Sequence, residues 1–210
     1  APPFTTSALQ QEAARKLGLS VSQTMRIAQK LYESGLITYM RTDSTNLSQL
    51  AINSIKQVIT QEFGAEYSKV RQYKTKSKGA QEAHEAIRPT DVTLTPSALK
   101  DKISRDQFRL YQLIYNRFLA SQMSPAVYET STVTASIGEH KFKASSSKVK
   151  FEGFMAVYTL DEDKEENAKL AGIAVGDKLK AEKLEPKQHF TQPPAHYTEA
   201  LLVKTMEELG

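Results

Sequence analysis

Tyr39 and Arg41 stand two residues apart in the run Leu36-Ile37-Thr38-Tyr39-Met40-Arg41-Thr42-Asp43-Ser44-Thr45. A phenol oxygen can attack a phosphorus atom and become a phosphotyrosine ester. A free phenol has a pKa of about 10, so it needs nearby positive charge to react at neutral pH. Arg41 can supply that charge and can neutralise a phosphate as it becomes pentacovalent. Taken alone, the pair equally fits a phenol packed on the core beside a surface cation. A second group lies in Ala83-His84-Glu85-Ala86-Ile87-Arg88-Pro89. If that stretch is helical, His84 and Arg88 share one face, and both can hold phosphate oxygens. A surface histidine beside a capping arginine is the plainer alternative, and Pro89 limits any helix there.

These residues must be positioned by the elements around them, and residues 1–124 read as mostly helical. Ser7 with Gln10 suggests a capping box, Leu9, Ala13 and Leu17 follow at helical spacing, and Gly18 closes the segment. Ser20 with Gln23 repeats the signal before a second helix that Gly35 stops. Leu36 to Arg41 is short and β-prone; if extended, it puts Ile37, Tyr39 and Arg41 on one side. A third helix is predicted from about Ser48 to Phe63, with Ile52, Ile55, Ile59 and Phe63 inward. Residues 64–80 read as a basic loop carrying Lys69, Arg71, Lys74, Lys76 and Lys78. Thr95-Pro96 predicts a short helix, and Ser104 with Gln107 opens a long one ending near Pro125. The two helices in residues 6–35 form a helix-turn-helix pattern with a following strand, as in winged-helix folds. Its second helix exposes Ser22, Gln23, Arg26, Gln29 and Lys30, as a DNA-reading helix would.

After Pro125 the period changes. Residues 126–160 are rich in Val, Thr, Ser, Tyr and Phe, and three strands are predicted there, with another at 177–185. Asp161-Glu162-Asp163 offers an Asp-x-Asp pair, but in a charged run without strand context it reads as solvated surface. Thr198 to Leu209 begins a further helix. No apolar run approaches the length of a membrane span. Cysteine is absent, which excludes disulfide scaffolds and thiol catalysis and fits a reducing cytoplasm. The net charge of +4 is unevenly placed. Residues 1–124 hold 17 Lys and Arg against 10 Asp and Glu, or +7, while residues 125–210 hold 11 against 14, or −3. The first part is the better candidate to meet a polyanion, and a solvated basic surface is the plainer alternative.

The run Leu36–Thr45 resembles the active-site signature of bacterial type IA DNA topoisomerases, and Gln81–Pro89 resembles the second signature of that family. Pro3-Phe4-Thr5-Thr6-Ser7 with Leu9-Gln10-Gln11, and His189-Phe190-Thr191 with Pro193-Pro194, are similar to flanking stretches, in the family's order. The resemblance implies Tyr39 as the nucleophile forming a 5′-phosphotyrosine bond with one strand, and Arg41 as the stabiliser of the transition state. It implies that His84 binds the DNA backbone and that Arg88 assists. It also implies ATP-independent relaxation of negative supercoils, single-stranded DNA as the preferred partner, a monomer, and a bacterial cytoplasmic location at the nucleoid. The family's Mg²⁺ is held by an acidic Toprim domain with no counterpart in this sequence. None is expected on this chain, which is expected to be a fragment inactive by itself.

The fold class expected is α+β. A mainly helical, winged-helix-like (CAP-like) tyrosine domain covers 1–124, a β-rich hinge-domain portion covers 125–196, and 197–210 starts a truncated neighbouring helical domain. The rival is a winged-helix transcription regulator, which explains residues 6–41 equally well but leaves 81–89 without a role.

Overall fold

The computed structural model describes residues 1–73, 84–158, 170, 172–183, 185–194 and 196–209, apart from the side chains of 207 and 208. Lys74, Lys76, Lys78 and the Asp161-Glu162-Asp163 run lie outside the described residues. The chain divides into two compact units, one of Ala1–Pro125, Gly153–Thr159 and His196–Gly210, the other of Ala126–Glu152 and Leu160–Ala195. With helices in the first and a small antiparallel sheet in the second, the fold is α+β.

The first unit is built on α1 (Thr6–Leu17), α2 (Val21–Glu33), α3 (Gln49–Glu62), the short α4 (Pro96–Leu99) and α5 (Arg105–Gln122). α6 (Glu199–Leu209) belongs to the same unit and packs on α1. Serine caps with reciprocal glutamines open α2 (Ser20, Gln23) and α5 (Ser104, Gln107), each satisfying two end groups of the helix. α1 starts earlier than its Ser7–Gln10 pair suggests. Thr6 N–H donates to Thr42 O at 2.8 Å, and the Thr5 hydroxyl accepts from Ala8 N at 3.2 Å. Thr5 is thus the cap, Ser7 lies inside the first turn, and the Gln11 side chain donates to it at 2.9 Å. With no tryptophan to fill it, the core rests on Phe4, Leu9, Leu31, Ile37, Ile55, Ile59, Ile87, Leu110, Tyr111, Ile114 and Phe118, and α5 is its most buried helix. Burying a side chain of this size contributes about 1.5–3 kcal/mol each. On α2, Ser22, Gln23, Arg26, Gln29 and Lys30 are all exposed.

The strand expected after α2 shrinks to one bridge, Ile37 with Pro89. Ile37 and Met40, three residues apart, are both buried, and Arg41 is exposed. A strand's two-residue period cannot produce that pattern, so Ile37, Tyr39 and Arg41 do not share a face.

Among the described residues of the second unit there are two strands, β1 (Val127–Ile137) and β2 (His140–Phe151). They pair antiparallel through a two-residue turn at Gly138-Glu139. Cross-strand hydroxyl pairs, Thr130 with Ser147 at 2.9 Å and Thr132 with Ser145 at 3.0 Å, fix the register. Three strands were expected over 126–160. The segment instead forms two long strands, with a register shift between Val127 and Tyr128, and Gly153–Ala156 forms a 3₁₀ turn. The described part of 177–185 is not in a strand, and its side chains are exposed. Where the chain re-enters the first unit, Gly153 has φ +51°, and a Cβ there would lie 2.4 Å from Ser124 O. Only glycine allows that approach, which closes with Phe154 N donating to Ser124 O at 2.9 Å.

Candidate active site

Gly35 ends α2 with φ +70°, as Gly35 N donates to Tyr32 O at 2.8 Å and Leu36 N to Leu31 O at 2.9 Å. The chain leaving this turn carries Tyr39 and is stitched to two distant segments. Thr38 N donates to Arg88 O at 2.9 Å. The Thr38 hydroxyl donates to Ala86 O at 2.7 Å and accepts from Arg88 N at 3.0 Å. On the other side, the Thr6 hydroxyl donates to Met40 O at 2.8 Å and accepts from Thr42 N at 2.8 Å. Ile87 N donates to Phe4 O at 2.8 Å, joining the outer segments to each other. Ile37, Met40, Thr42, Ala86, Ile87 and Pro89 turn inward, leaving Tyr39 half-buried and Arg41 and His84 exposed.

His84 links the other two: its ring meets Tyr39, and it shares a cleft with Arg41. The Tyr39 and His84 ring centroids lie 5.2 Å apart, and Arg41 and His84 line one open cleft of about 520 Å³. Thr5, Thr6 and Ser7 form another wall, so the N-terminal end of α1 adds the positive pole of a helix dipole. A cleft with an arginine, a histidine and a helix N-terminus suits an anion such as phosphate.

Arg88 is elsewhere. The segment around it is not helical, because Ala86 and Ile87 are buried and bonded to neighbouring segments, so His84 and Arg88 do not share a helix face. Arg88 Nε and Nη2 donate to Glu85 Oε2 at 2.8 and 2.5 Å, and Nη1 donates to Pro89 O at 2.9 Å. Its guanidinium is engaged by its own segment and lines a different groove, with Leu50 and Phe118.

Glu85 also accepts from Ser48 N, the cap of α3, at 2.7 Å through Oε1. Burial works against its charge, but the Ser48 hydrogen bonds and the Arg88 guanidinium outweigh it and hold the carboxyl below its ordinary range. A carboxyl pKa depressed by folding adds stability above the unfolded value that is lost as pH falls through the folded one. Glu85→Gln is therefore expected to cost about 1 kcal/mol at neutral pH, solvent screening included, or about 2–4 °C in Tm. The gap should narrow as pH drops below about 4.3. Thermal unfolding between pH 3 and 7 checks this, and a gap that widens in acid would contradict it.

Three other tyrosines can be set aside as nucleophiles. Tyr111 and Tyr115 donate to the carbonyls of Leu94 at 2.7 Å and Val92 at 3.0 Å, and Tyr158 donates to Glu12 at 2.7 Å. Burial pushes the phenols of Tyr115 and Tyr158 up to about 12, and that of Tyr111 higher still.

Asp43 is the carboxylate lining the cleft, and it stands two residues from Arg41. No group of three or more histidine or acidic side chains that could hold a metal occurs among the described residues.

Sequence reasoning did not single out Thr6, Thr38, Tyr32 or Glu85. Thr38 lies inside the first motif and Glu85 inside the second, but nothing in either marks them as the clips that hold the motifs together.

A family model for DNA topoisomerase matches residues 1–210. The solved full-length topoisomerase I of Thermotoga maritima is similar in structure, with a TM-score of 0.78 and 41% sequence identity. That match covers 100% of this chain and 35% of the other, so the chain spans about a third of its length.

Proposed function

We propose, from the premise that this chain belongs to the DNA topoisomerase family, that it carries the nucleophile and the phosphate seat of a type IA reaction. The observation behind this reading is that Arg41 and His84 line one cleft beside the N-terminus of α1, with the Tyr39 ring 5.2 Å from that of His84. The scissile phosphate of one DNA strand sits in that cleft, and the Tyr39 phenol oxygen attacks its phosphorus. A Tyr Oη–P bond forms as the P–O3′ bond breaks. The phenol proton is lost, the departing 3′ oxygen gains one, and a 5′-phosphotyrosine ester remains. Arg41 offsets the charge of the pentacovalent phosphate, and His84 holds the backbone beside it. The ester keeps the energy of the broken bond, so attack by the 3′-hydroxyl reseals the strand without ATP. Between the two steps another strand passes and negative supercoils relax, in an enzyme where these residues work with the further parts that the longer relative carries.

The exposed face of α2 makes the α1–α2 pair a helix-turn-helix module on the same reading, and the second unit serves as part of a hinge. The protein acts as a monomer on single-stranded DNA, at the bacterial nucleoid in the cytoplasm. No helix among the described residues is long and apolar enough to cross a membrane. A transcription regulator would not need the second motif bonded to the first.

With +7 on residues 1–124, binding of single-stranded DNA should be weak and salt-sensitive. Three or four neutralised phosphates give a slope of log affinity on log salt near −2 to −3, with affinity no better than about micromolar. Arg41→Ala and His84→Ala should each flatten the slope by up to about 0.7. Fluorescence anisotropy with a labelled oligonucleotide over a salt series measures both. Tight, salt-insensitive binding, or selection of one duplex palindrome, would favour the regulator instead.

A further inference from the structure

We infer that Tyr32 is a positioning residue for the nucleophile, a role that rests on the reading of Tyr39 above and goes beyond it. Tyr32 lies in the last turn of α2 next to the fully buried Leu31, yet is itself 42% exposed. An aromatic ring this open gains only part of the stabilisation that burial gives. Its ring meets Tyr39, with centroids 5.3 Å apart and planes at 67°, the edge-to-face arrangement that ring quadrupoles favour. Tyr39 is thus the shared member of two ring pairs, with Tyr32 on α2 and with His84 on the second motif.

The backbone strengthens the case. Tyr32 O accepts the Gly35 N–H that closes the turn leading to Tyr39. The turn that launches the nucleophile is therefore anchored on the residue whose ring meets it. Tyr39 itself stands outside any helix or strand, half-buried against the core, with the Tyr32 and His84 rings as its aromatic neighbours. In-line attack requires the phenol oxygen within about 3–3.5 Å of phosphorus along one direction. A phenol free to swing would meet that geometry less often, so the Tyr32 ring raises the fraction of encounters that react. The role belongs to the ring and not to its hydroxyl, and removing the ring should slow the chemical step without loosening the DNA.

The test uses an active full-length enzyme carrying these residues, with single-turnover cleavage of a labelled single-stranded oligonucleotide. Tyr32→Ala should cleave about three- to tenfold more slowly, the span of an aromatic pair converted to rate. DNA affinity should match the parent, and Tm should fall by no more than about 2–4 °C, the loss of one aromatic pair. Tyr32→Phe should restore the rate, and Tyr32→Leu, which keeps apolar bulk without the ring, should not. Parental rates in Tyr32→Ala, or a Phe variant as slow as Ala, would overturn the positioning role. So would a loss of affinity or Tm that accounts for the slower cleavage. Tyr39→Phe run alongside separates the two ideas: if it still cleaves, the nucleophile assignment fails, and if it is inert, the Tyr32 variants judge Tyr32 alone.

Discussion

Replacing Tyr39 by Phe in an active full-length enzyme is expected to lower strand cleavage by about 10⁴-fold or more, the scale seen when a covalent nucleophile is removed. The substitution deletes one oxygen and leaves the ring, so the contacts to Tyr32 and His84 at 5.3 and 5.2 Å survive. The half-buried phenol is not part of the buried core, so stability should move by no more than about 0.5 kcal/mol. Oligonucleotide binding should persist, because the proposed phosphate contacts are Arg41, His84 and the end of α1. Rate, melting temperature and affinity on one preparation make the comparison. A variant that still cleaves would move the nucleophile to another residue. One that unfolds would show that the oxygen is structural.

Arg41→Ala is the second large effect expected. Arg41 is exposed at the cleft, so little packing is lost. On the proposed mechanism, what is lost is the charge facing the phosphate as it gains charge in the transition state. Removing one such preorganised group costs about 10²- to 10³-fold in the chemical step. Arg41→Lys should recover part of this, since an ammonium supplies the charge but not the planar fork. The loss should appear chiefly in the single-turnover rate, with a smaller change in binding. A loss confined to affinity would reduce Arg41 to a binding contact.

Much of the architecture was legible in residue order. The Ser20–Gln23 and Ser104–Gln107 boxes, the Ser48 cap and the closing glycines are local devices, and the helices they bound form where those residues stand. What residue order did not carry was long-range. The start of α1 is set by Thr42, and the expected strand after Gly35 is replaced by threonine clips to residues 34 to 50 positions away. No periodicity encodes such partners. The two motifs lie more than forty residues apart in the chain, and the fold sets the Tyr39 and His84 rings 5.2 Å apart and puts Arg41 and His84 on one cleft. The helical face proposed for His84 and Arg88 failed for the same long-range reason. Backbone bonds to Phe4 and Thr38 draw the segment out, and Arg88 turns to Glu85. Tyr32 could not be read from the chain, since an aromatic residue in the last turn of an amphipathic helix looks the same whether it meets the core or a nucleophile.

The central claim, that Tyr39 bonds covalently to the 5′ side of a cleaved strand, is met most directly by trapping the adduct. A single-stranded oligonucleotide labelled at its 3′ end is cleaved by the full-length enzyme, quenched with denaturant, and the labelled protein is digested and mapped by mass spectrometry. The expected result is label on the protein, a released fragment ending in a 3′-hydroxyl, and a nucleotide mass on the peptide containing Tyr39. Label that reaches the protein only from the 5′ end, or a modified peptide without Tyr39, would contradict it.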